Sequence, residues 1–160
     1  MGSNPVRDAI LIHHIRFMII CPTVLSDAKN ISLLHAACFE HAWNTDYFQH
    51  VLSDNRYLCI KIKDESDTIG FCLCLNIQPE IEILSICVRK EDRRMGYGRK
   101  LLEYLIANYS FEKIFLEVSK NNHVAIKLYE AVGFIKISER RGYYHENNEN
   151  VDALIYQFAR

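Results

Sequence analysis

The sequence predicts an α/β protein in which one mixed β-sheet carries helices on both faces. The first observation is the order of apolar periodicities, which runs strand, two helices, three strands, helix, strand, helix and two strands. The second is length, because 160 residues suit one domain and leave no room for two of ordinary size. The third is composition: 49% of the residues are hydrophobic and 24% are charged, which is typical of a globular protein.

The N-terminal end predicts a tail followed by a short strand. Residues 1–14 are expected to form a flexible tail, and residues 15–160 a single domain. An apolar strand at 15–21 ends at Pro22. Ser26 then has a side chain typical of a helix N-cap, so the first helix is expected to begin there.

Two helices and a meander of three strands complete the first half. The first helix turns Ile31, Leu34 and Cys38 toward the core. The remaining elements are a helix at 46–53 and strands at 57–63, 68–77 and 81–88. These strands alternate in the period-two pattern of β-structure and are separated by polar turns.

Strands alternate with helices in the second half. A charged segment at 89–94 leads to Gly96, Tyr97 and Gly98, which open a helix. The sequence then predicts a strand at 113–119, a helix at 122–131 with Gly133 as its left-handed C-cap, and a strand pair at 134–140 and 152–158.

Charge and cysteine content argue against several classes of function. Nineteen Lys and Arg against twenty Asp and Glu give a net charge of -1, which is unsuited to general nucleic-acid binding. The apolar run at 15–25 is interrupted by Arg16 and Pro22 and is too short for a bilayer. None of the six cysteines forms a Cys-x-x-Cys pair, and the histidines lack metal-ligand spacing. We therefore expect reduced thiols, no metal and a cytoplasmic protein.

The segment around Gly96 and Gly98 has the composition of a phosphate-binding loop. Glycine lets the backbone approach a ligand closely, and a helix N-terminus offers unpaired N–H groups. The basic residues around it are Arg93, Arg94, Arg99 and Lys100. A tight strand-to-helix turn with solvated charges explains the same residues, so both interpretations stay open. A dinucleotide fingerprint is excluded because Leu101 replaces its third small residue, and the sequence has no P-loop motif.

Six short motifs relate the chain to a known family. They are Arg93-Arg94-Met95-Gly96-Tyr97-Gly98, Leu116-Glu117-Val118, Asn121-Asn122, the segment 125–134 with Leu128-Tyr129-Glu130, Gly142-Tyr143-Tyr144 and Asp152-Ala153. With the first, an Arg/Gln-x-x-Gly-x-Gly/Ala signature, the chain resembles the GCN5-related N-acetyltransferases (GNAT). The later motifs resemble protein N-terminal acetyltransferases, above all the bacterial ribosomal-protein-alanine N-acetyltransferases and their archaeal relatives. The resemblance covers about residues 15 to 158.

The resemblance implies a fold, a co-substrate and site residues. It implies a mostly antiparallel seven-stranded sheet that splays between the fourth and fifth strands, flanked by four helices, with acetyl-CoA in the gap. The residues it implies for acetyl-CoA binding are Ile86, Cys87, Val88, Arg94, Met95, Gly96, Tyr97, Gly98, Arg99 and Asn122. Glu117 matches the general base and Tyr129 the general acid. Trp43, Tyr143 and Tyr144 match the acceptor side, the two tyrosines in a loop that packs over the peptide.

The residues themselves leave three roles open. Glu117 is unusual in an apolar strand, where burial would make it a better base, but a structural carboxylate paired with a cation fits as well. Tyr129 suits core packing as well as proton donation. Glu82 is a second candidate base and substrate-binding residue, on one face with Leu84 and Ile86 by period two, or it is a polar strand end.

Three functions remain open. The first is acetyl transfer from acetyl-CoA to the N-terminal α-amine of a protein by direct attack on the thioester, and the resemblance points to the alanine of a small-subunit ribosomal protein. The second is a GNAT enzyme for a small amine, such as an amino acid or polyamine, and the third is a non-catalytic acetyl-CoA-binding module. Glu117 with Tyr129 favours an enzyme, and Gly142-Tyr143-Tyr144 favours a peptide acceptor. We expect a monomer that binds neither nucleic acid nor membrane.

Overall fold

The structure is a computed structural model that describes residues 17–65 and 67–160, and within them the chain forms a seven-stranded sheet with four helices. The strands are β1 (Ile19–Pro22), β2 (Tyr57–Lys63), β3 (Thr68–Ile77), β4 (Glu80–Val88), β5 (Lys113–Ser119), β6 (Ile135–Glu146) and β7 (Glu149–Ala159). The helices are α1 (Ala28–Cys38), α2 (Thr45–Ser53), α3 (Tyr97–Asn108) and α4 (His123–Val132). The sheet order is β1-β2-β3-β4-β5-β7-β6, in which β4 and β5 pair in parallel and the other neighbours antiparallel. The predicted fold class and element order are confirmed.

The two faces of the sheet are covered by different helix pairs. On one face, α1 and α2 pack around Phe48 and Phe71. On the other, α3 and α4 pack with Leu101 and Tyr129. The central strand β3 is buried on both sides because it lies between these layers. Among the residues that the structure describes, none of the helices has the length and hydropathy of a membrane span.

The parallel pair of β4 and β5 separates part-way along its length. The parallel pairing ends at Ile83, which lies opposite Leu116. At this point β4 has a β-bulge against β3, where Leu84 has no partner between Ile83 and Ser85. A bulge bends and twists its strand, which turns the second half of β4 away from β5. The predicted splay between the fourth and fifth strands is confirmed.

The bulge also changes the face on which Glu82 lies. Strict alternation predicts Glu82 on one face with Leu84 and Ile86, and this is wrong. The extra residue reverses the alternation, so that Ile83 and Ile86 both face the α3–α4 layer. Glu82 shares the opposite face with Ser85, on the side of α1 and α2.

The hairpin of β6 and β7 is longer than predicted. The sequence suggested that these strands stop at residue 140 and start at residue 152, with Gly142-Tyr143-Tyr144 in a loop. In the structure β6 continues to Glu146, and that segment lies within β6 at an irregularity in the pairing. Asn147 and Asn148 have φ of 50° and 64°. Two such residues form a tight turn that keeps the strands paired up to it, so the loop prediction is wrong.

Two predictions at the N-terminal end are wrong. The strand β1 begins at Ile19 and includes Pro22, which is tolerated because β1 is an edge strand. The helix α1 begins at Ala28 after a 3₁₀ turn, so Asp27 rather than Ser26 precedes it. The Asp27 carboxylate accepts a backbone N–H three residues earlier at 2.8 Å, which stabilises that turn. The predicted tail at 1–14 lies outside the described residues, as does the start of the predicted first strand.

Candidate active site

A cleft of about 920 Å³ opens where β4 and β5 part. Its walls are the second halves of these two strands, the starts of α3 and α4, the loop between α1 and α2, and part of β6. The predicted site residues that line it are Trp43, Ile86, Cys87, Val88, Arg94, Gly96, Tyr97, Gly98, Arg99, Glu117, Asn122, Tyr129 and Tyr144. Met95, Tyr143 and Glu82 do not line this cleft.

The start of α3 has the backbone geometry of an anion site. Arg94 and Gly96 are both left-handed, with φ of 65° and 80°. The first N–H groups of a helix have no partner inside it, and no backbone carbonyl of the described residues accepts those of Tyr97, Gly98 or Arg99. A Cβ on Gly96 would meet nothing within 4 Å, so the space over the loop is open. These features fit the pyrophosphate of a nucleotide-like co-substrate.

Close packing at Gly98 and a hydrogen bond from Arg93 fix the position of this loop. A Cβ on Gly98 would lie 3.1 Å from Leu128 Cδ2, so the glycine allows α3 to approach α4 closely. Arg93 Nε donates to the Val88 carbonyl at 3.0 Å. The Cys38 thiol donates to the same carbonyl at 3.7 Å. The Val88 carbonyl therefore has partners within the protein, and the loop is tied to the end of β4.

Asn122 caps α4 at the rim of the cleft. Its side-chain oxygen accepts the Ala125 backbone N–H at 3.1 Å. An asparagine amide has two N–H donors besides this acceptor. The cap fixes the side chain while leaving those donors available to a ligand.

Glu117 lies on β5 at the open end of the cleft and is paired with Arg140. The carboxylate is 2.8 Å from Arg140 Nη1, and the Glu117 side chain is 25% exposed. Leu116 and Val118 face the α3–α4 core, whereas Glu117 points to the opposite side. The apolar burial considered from the sequence is therefore not found. The structure contains the ion pair of the alternative interpretation and places the carboxylate in the cleft wall.

Tyr129 is buried in the α3–α4 layer and also lines the cleft. Its ring lies 5.9 Å from that of Phe134 and 6.5 Å from that of Tyr156, measured between centroids. Burial raises the pKa of Tyr129, so the hydroxyl keeps its proton at neutral pH. The ring packs in the core while the residue borders the cleft, which is compatible with both interpretations of this tyrosine.

Tyr144 lies close to both candidate catalytic groups. Burial raises the pKa of Tyr144, and the charge of Glu117 raises it further. The ring of Tyr143 meets that of Tyr144 edge-on at 5.2 Å, and the Arg140 guanidinium lies 5.0 Å from the Tyr143 ring. Tyr143 is 55% exposed. Tyr144 thus belongs to the cleft wall, and Tyr143 supports it from outside.

Trp43 anchors the segment between α1 and α2. Its ring stacks on the buried His35 ring with centroids 4.7 Å apart, and its backbone N–H donates to His35 Nδ1 at 3.2 Å. Burial lowers the pKa of His35, which keeps the imidazole neutral and Nδ1 an acceptor. Trp43 is thereby a fixed part of the cleft wall.

Glu82 lies in a separate hollow of about 350 Å³. Glu80, Phe115 and Glu117 also line this hollow. Because Glu117 lines both spaces, the hollow continues the cleft along the α1–α2 face of the sheet. The structure places Glu82 beside the main cleft rather than in it.

Three residues of the site were not predicted from the sequence. Arg140 reaches Glu117 because β7 lies between β5 and β6, and the sequence has no signal for that pairing. Ser85 faces the α1–α2 side because of the bulge, and the sequence contains no signal for the bulge either. His35 follows Ile31 by four residues, so the helix period could have placed it toward the core.

The family model described as acetyltransferase (GNAT) family matches residues 28–134, which include all four helices. The chain belongs to this family. A relative, the [ribosomal protein bS18]-alanine N-acetyltransferase of Salmonella typhimurium, is 30% identical over 140 residues, or 79% of this chain and 95% of the relative. An N-alpha-acetyltransferase of Saccharolobus solfataricus is 38% identical over 71 residues, or 42% of each chain.

Solved structures of GNAT proteins share the fold. The crystal structure of the ribosomal-protein-S18-alanine N-acetyltransferase from Escherichia coli matches with a TM-score of 0.83 and 26% identity, covering 89% of this chain and 94% of that one. Arabidopsis thaliana NAA60 in complex with acetyl-CoA matches with a TM-score of 0.77 and 18% identity, covering 89% of this chain and 98% of that one. The second match supports the fold alone. The family resemblance inferred from the motifs is confirmed.

Proposed function

We propose that this GNAT chain is an acetyl-CoA-dependent N-acetyltransferase for the N-terminal α-amine of a protein, with the alanine of a small-subunit ribosomal protein as the expected acceptor. The cleft carries this proposal, because it connects the loop before α3 to Glu117 and Tyr129 through the gap between the splayed strands. The Salmonella typhimurium relative, a [ribosomal protein bS18]-alanine N-acetyltransferase, supports the same acceptor.

The co-substrate is assigned to the gap between β4 and β5. When bound, acetyl-CoA supplies a thioester whose carbonyl carbon the acceptor amine attacks directly. The backbone around Gly96 and Gly98, with the basic side chains of Arg94 and Arg99, holds the pyrophosphate. The other residues assigned to this side are Ile86, Cys87, Val88, Met95, Tyr97 and Asn122.

Glu117 and Tyr129 move the protons in this proposal. An α-amine has an ordinary pKa near 8, so a carboxylate can remove its extra proton directly or through one water. Glu117 does so, and Arg140 holds the carboxylate in position. Tyr129 keeps its proton at neutral pH and donates it from the hydroxyl oxygen to the leaving thiolate. The tyrosinate is then reprotonated by the second proton that the nitrogen loses as the amide forms, directly or through water.

The acceptor peptide is assigned to the face of α1 and α2. Trp43 and Tyr144 flank the cleft there, and Tyr143 packs against Tyr144. Rigid rings contact a peptide backbone at low entropic cost and leave little room for a large first side chain. Glu82, in the adjoining hollow, adds negative charge that attracts the ammonium group.

The same reasoning extends to the rest of the chain. All seven strands belong to one sheet, from β1 at one edge to β6 at the other, which supports one domain over residues 15–160. A ribosomal acceptor would place this enzyme in the cytoplasm, where we propose that it acts as a monomer.

A panel of acceptors tests the proposal, with thiol release as the measurement. The panel contains peptides that differ in residue one, an N-blocked peptide with an internal lysine, and spermidine. We expect the peptide that begins with alanine to react fastest. Faster reaction of spermidine or of the blocked peptide would show that the acceptor is a small amine or a lysine side chain. Acetyl-CoA binding without transfer to any amine would indicate a non-catalytic module.

A further inference from the structure

Ser85 carries a buried hydroxyl that has no hydrogen-bond partner in the part of the chain that the structure describes. The residue is 7% exposed, and its Oγ makes no hydrogen bond to any of the described residues. Ser85 also lines the cleft. A buried hydroxyl without a hydrogen bond destabilises the fold, so such a group indicates a partner that arrives with a ligand.

The position of Ser85 indicates whether its hydroxyl faces the co-substrate or the acceptor. It lies two residues beyond Ile83, the last residue of β4 that pairs with β5, and hence at the point where the strands part. The bulge at Leu84 turns Ser85 to the α1–α2 face, the same face of the sheet as Glu117. The loop that fits the pyrophosphate belongs to α3, on the other face. Ser85 therefore faces the acceptor side.

The chemistry of the acceptor favours an amine contact. An α-ammonium that gives one proton to Glu117 retains two N–H donors and one lone pair. A hydroxyl oxygen that accepts one of these N–H groups stops the amine from rotating about its C–N bond. The lone pair is then held in a single direction, and Ser85 keeps its own proton throughout.

We propose that the Ser85 hydroxyl accepts a hydrogen bond from the attacking amine and orients its lone pair toward the thioester. The inference rests on the proposed function and specifies which atom of the protein contacts the acceptor nitrogen. It makes Ser85 a substrate-contacting residue that is distinct from Glu117 and Tyr129.

Ser85→Ala tests the proposal, with an alanine-first hexapeptide and with alaninamide as acceptors. We expect kcat/KM for both acceptors to fall about tenfold, which is the scale of one lost hydrogen bond to a substrate. The KM for acetyl-CoA and the rise in Tm that acetyl-CoA causes stay unchanged. Ser85→Thr, which retains the hydroxyl, recovers most of the lost activity. A loss with the hexapeptide but not with alaninamide would overturn the amine contact, because it would place Ser85 on the peptide beyond residue one.

The stability of the ligand-free protein separates this role from a structural one. Removing an unpaired buried hydroxyl should leave Tm unchanged or raise it by about 2 to 4 °C. Ser32→Ala is the matched control, because Ser32 is equally buried but donates to the Trp43 carbonyl at 3.2 Å, and its loss should lower Tm. A drop in Tm for Ser85→Ala would overturn the proposal, as would full kcat/KM. If the wild-type protein acetylates no amine, the proposed function fails with it; if the wild type is active and Ser85→Ala matches it, this inference alone fails.

Discussion

At the residue scale, the pairing of Glu117 with Arg140 fixes a carboxylate in the wall of the cleft. A carboxylate held at 2.8 Å by a guanidinium has a fixed direction, which is useful in a base that must meet a substrate amine. We predict that Glu117→Gln lowers kcat by roughly 100-fold, the scale of general base catalysis, while the Tm shift with acetyl-CoA persists. Steady-state kinetics and thermal unfolding measure the two quantities. Full turnover in this variant would transfer the role to Glu82, which Glu82→Gln would then test.

The buried hydroxyl of Tyr129 predicts a particular pH dependence. Because burial raises the pKa of Tyr129, the hydroxyl loses its proton only above the ordinary range of tyrosine. The kcat of the wild type should therefore not decline up to pH 10, where a tyrosine of ordinary pKa is half ionised. Tyr129→Phe should lower kcat by roughly 100-fold over the same range, the scale of general acid catalysis. A profile from pH 6 to 10 measures both, and full turnover in the variant would remove Tyr129 from the proton path.

Cys38 differs from the more deeply buried Cys59, Cys74 and Cys87, whose thiol pKa values are raised. Hydrogen bonding with the Cys87 thiol, with help from the Arg93 guanidinium, lowers the pKa of Cys38 and so raises the fraction of its reactive thiolate. Burial raises the pKa of Cys59 to about 12. The thiolate is the reactive form, so iodoacetamide at pH 7 should alkylate Cys38 first. Acetyl-CoA should slow this labelling because Cys38 lines the cleft.

Peptide mapping after timed alkylation measures the order of reaction. Cys38→Ser is the control, and it should remove the fast phase alone. Equal rates for Cys38 and Cys59 in the folded protein would contradict the assignment.

At the scale of elements, the loop before α3 depends on backbone conformation at Gly96. A Cβ there would meet nothing within 4 Å, but the φ of 80° is costly for any residue with a side chain. We predict that Gly96→Val distorts the N–H groups at the start of α3 and abolishes the Tm shift with acetyl-CoA. Gly142→Val is a matched control, since Gly142 also has positive φ, at 60°, and lies in β6. The control should lower Tm but keep the shift. A folded Gly96→Val variant with a normal shift would show that the loop is a turn and no more.

The bulge in β4 is the second element-scale feature on which the site depends. It separates β4 from β5 after Ile83 and turns Ser85 toward the α1–α2 face. One extra residue thus accounts both for the gap between the strands and for the face to which Ser85 points. The long β6–β7 hairpin builds the opposite wall of the cleft, because β6 brings Arg140 and Tyr144 close to Glu117.

At the scale of the whole molecule, one buried ion pair links the turn before α1 to strand β2. Lys61 Nζ lies 2.6 Å from the Asp27 carboxylate, and the two side chains are 11% and 13% exposed. We predict that Lys61→Met lowers the free energy of unfolding by about 3 kcal/mol, because it leaves a buried charge without its partner. Urea denaturation measures this change.

The exposed pair of Arg56 with Asp54 provides the comparison. Its N···O distance is also 2.6 Å, but the Arg56 side chain is 65% exposed. Arg56→Met should therefore have little effect on unfolding. The double change Asp27→Asn with Lys61→Met should recover part of the stability lost by Lys61→Met. Equal effects of Lys61→Met and Arg56→Met would show that burial does not strengthen the first pair.

The sequence by itself determined the order of the elements, the bounds of β2, β3 and β5, and the left-handed C-cap at Gly133. These follow from local rules, since alternation, helical period and glycine conformation each involve residues a few positions apart. The tertiary structure decided the bulge at Leu84, the extension of β6 and the pairing of Glu117 with Arg140. Each of these depends on which strands lie side by side, and no local pattern contains that choice. The single unpaired residue Leu84 therefore separates Glu82 from the face predicted for it and turns the Ser85 side chain toward the α1–α2 face.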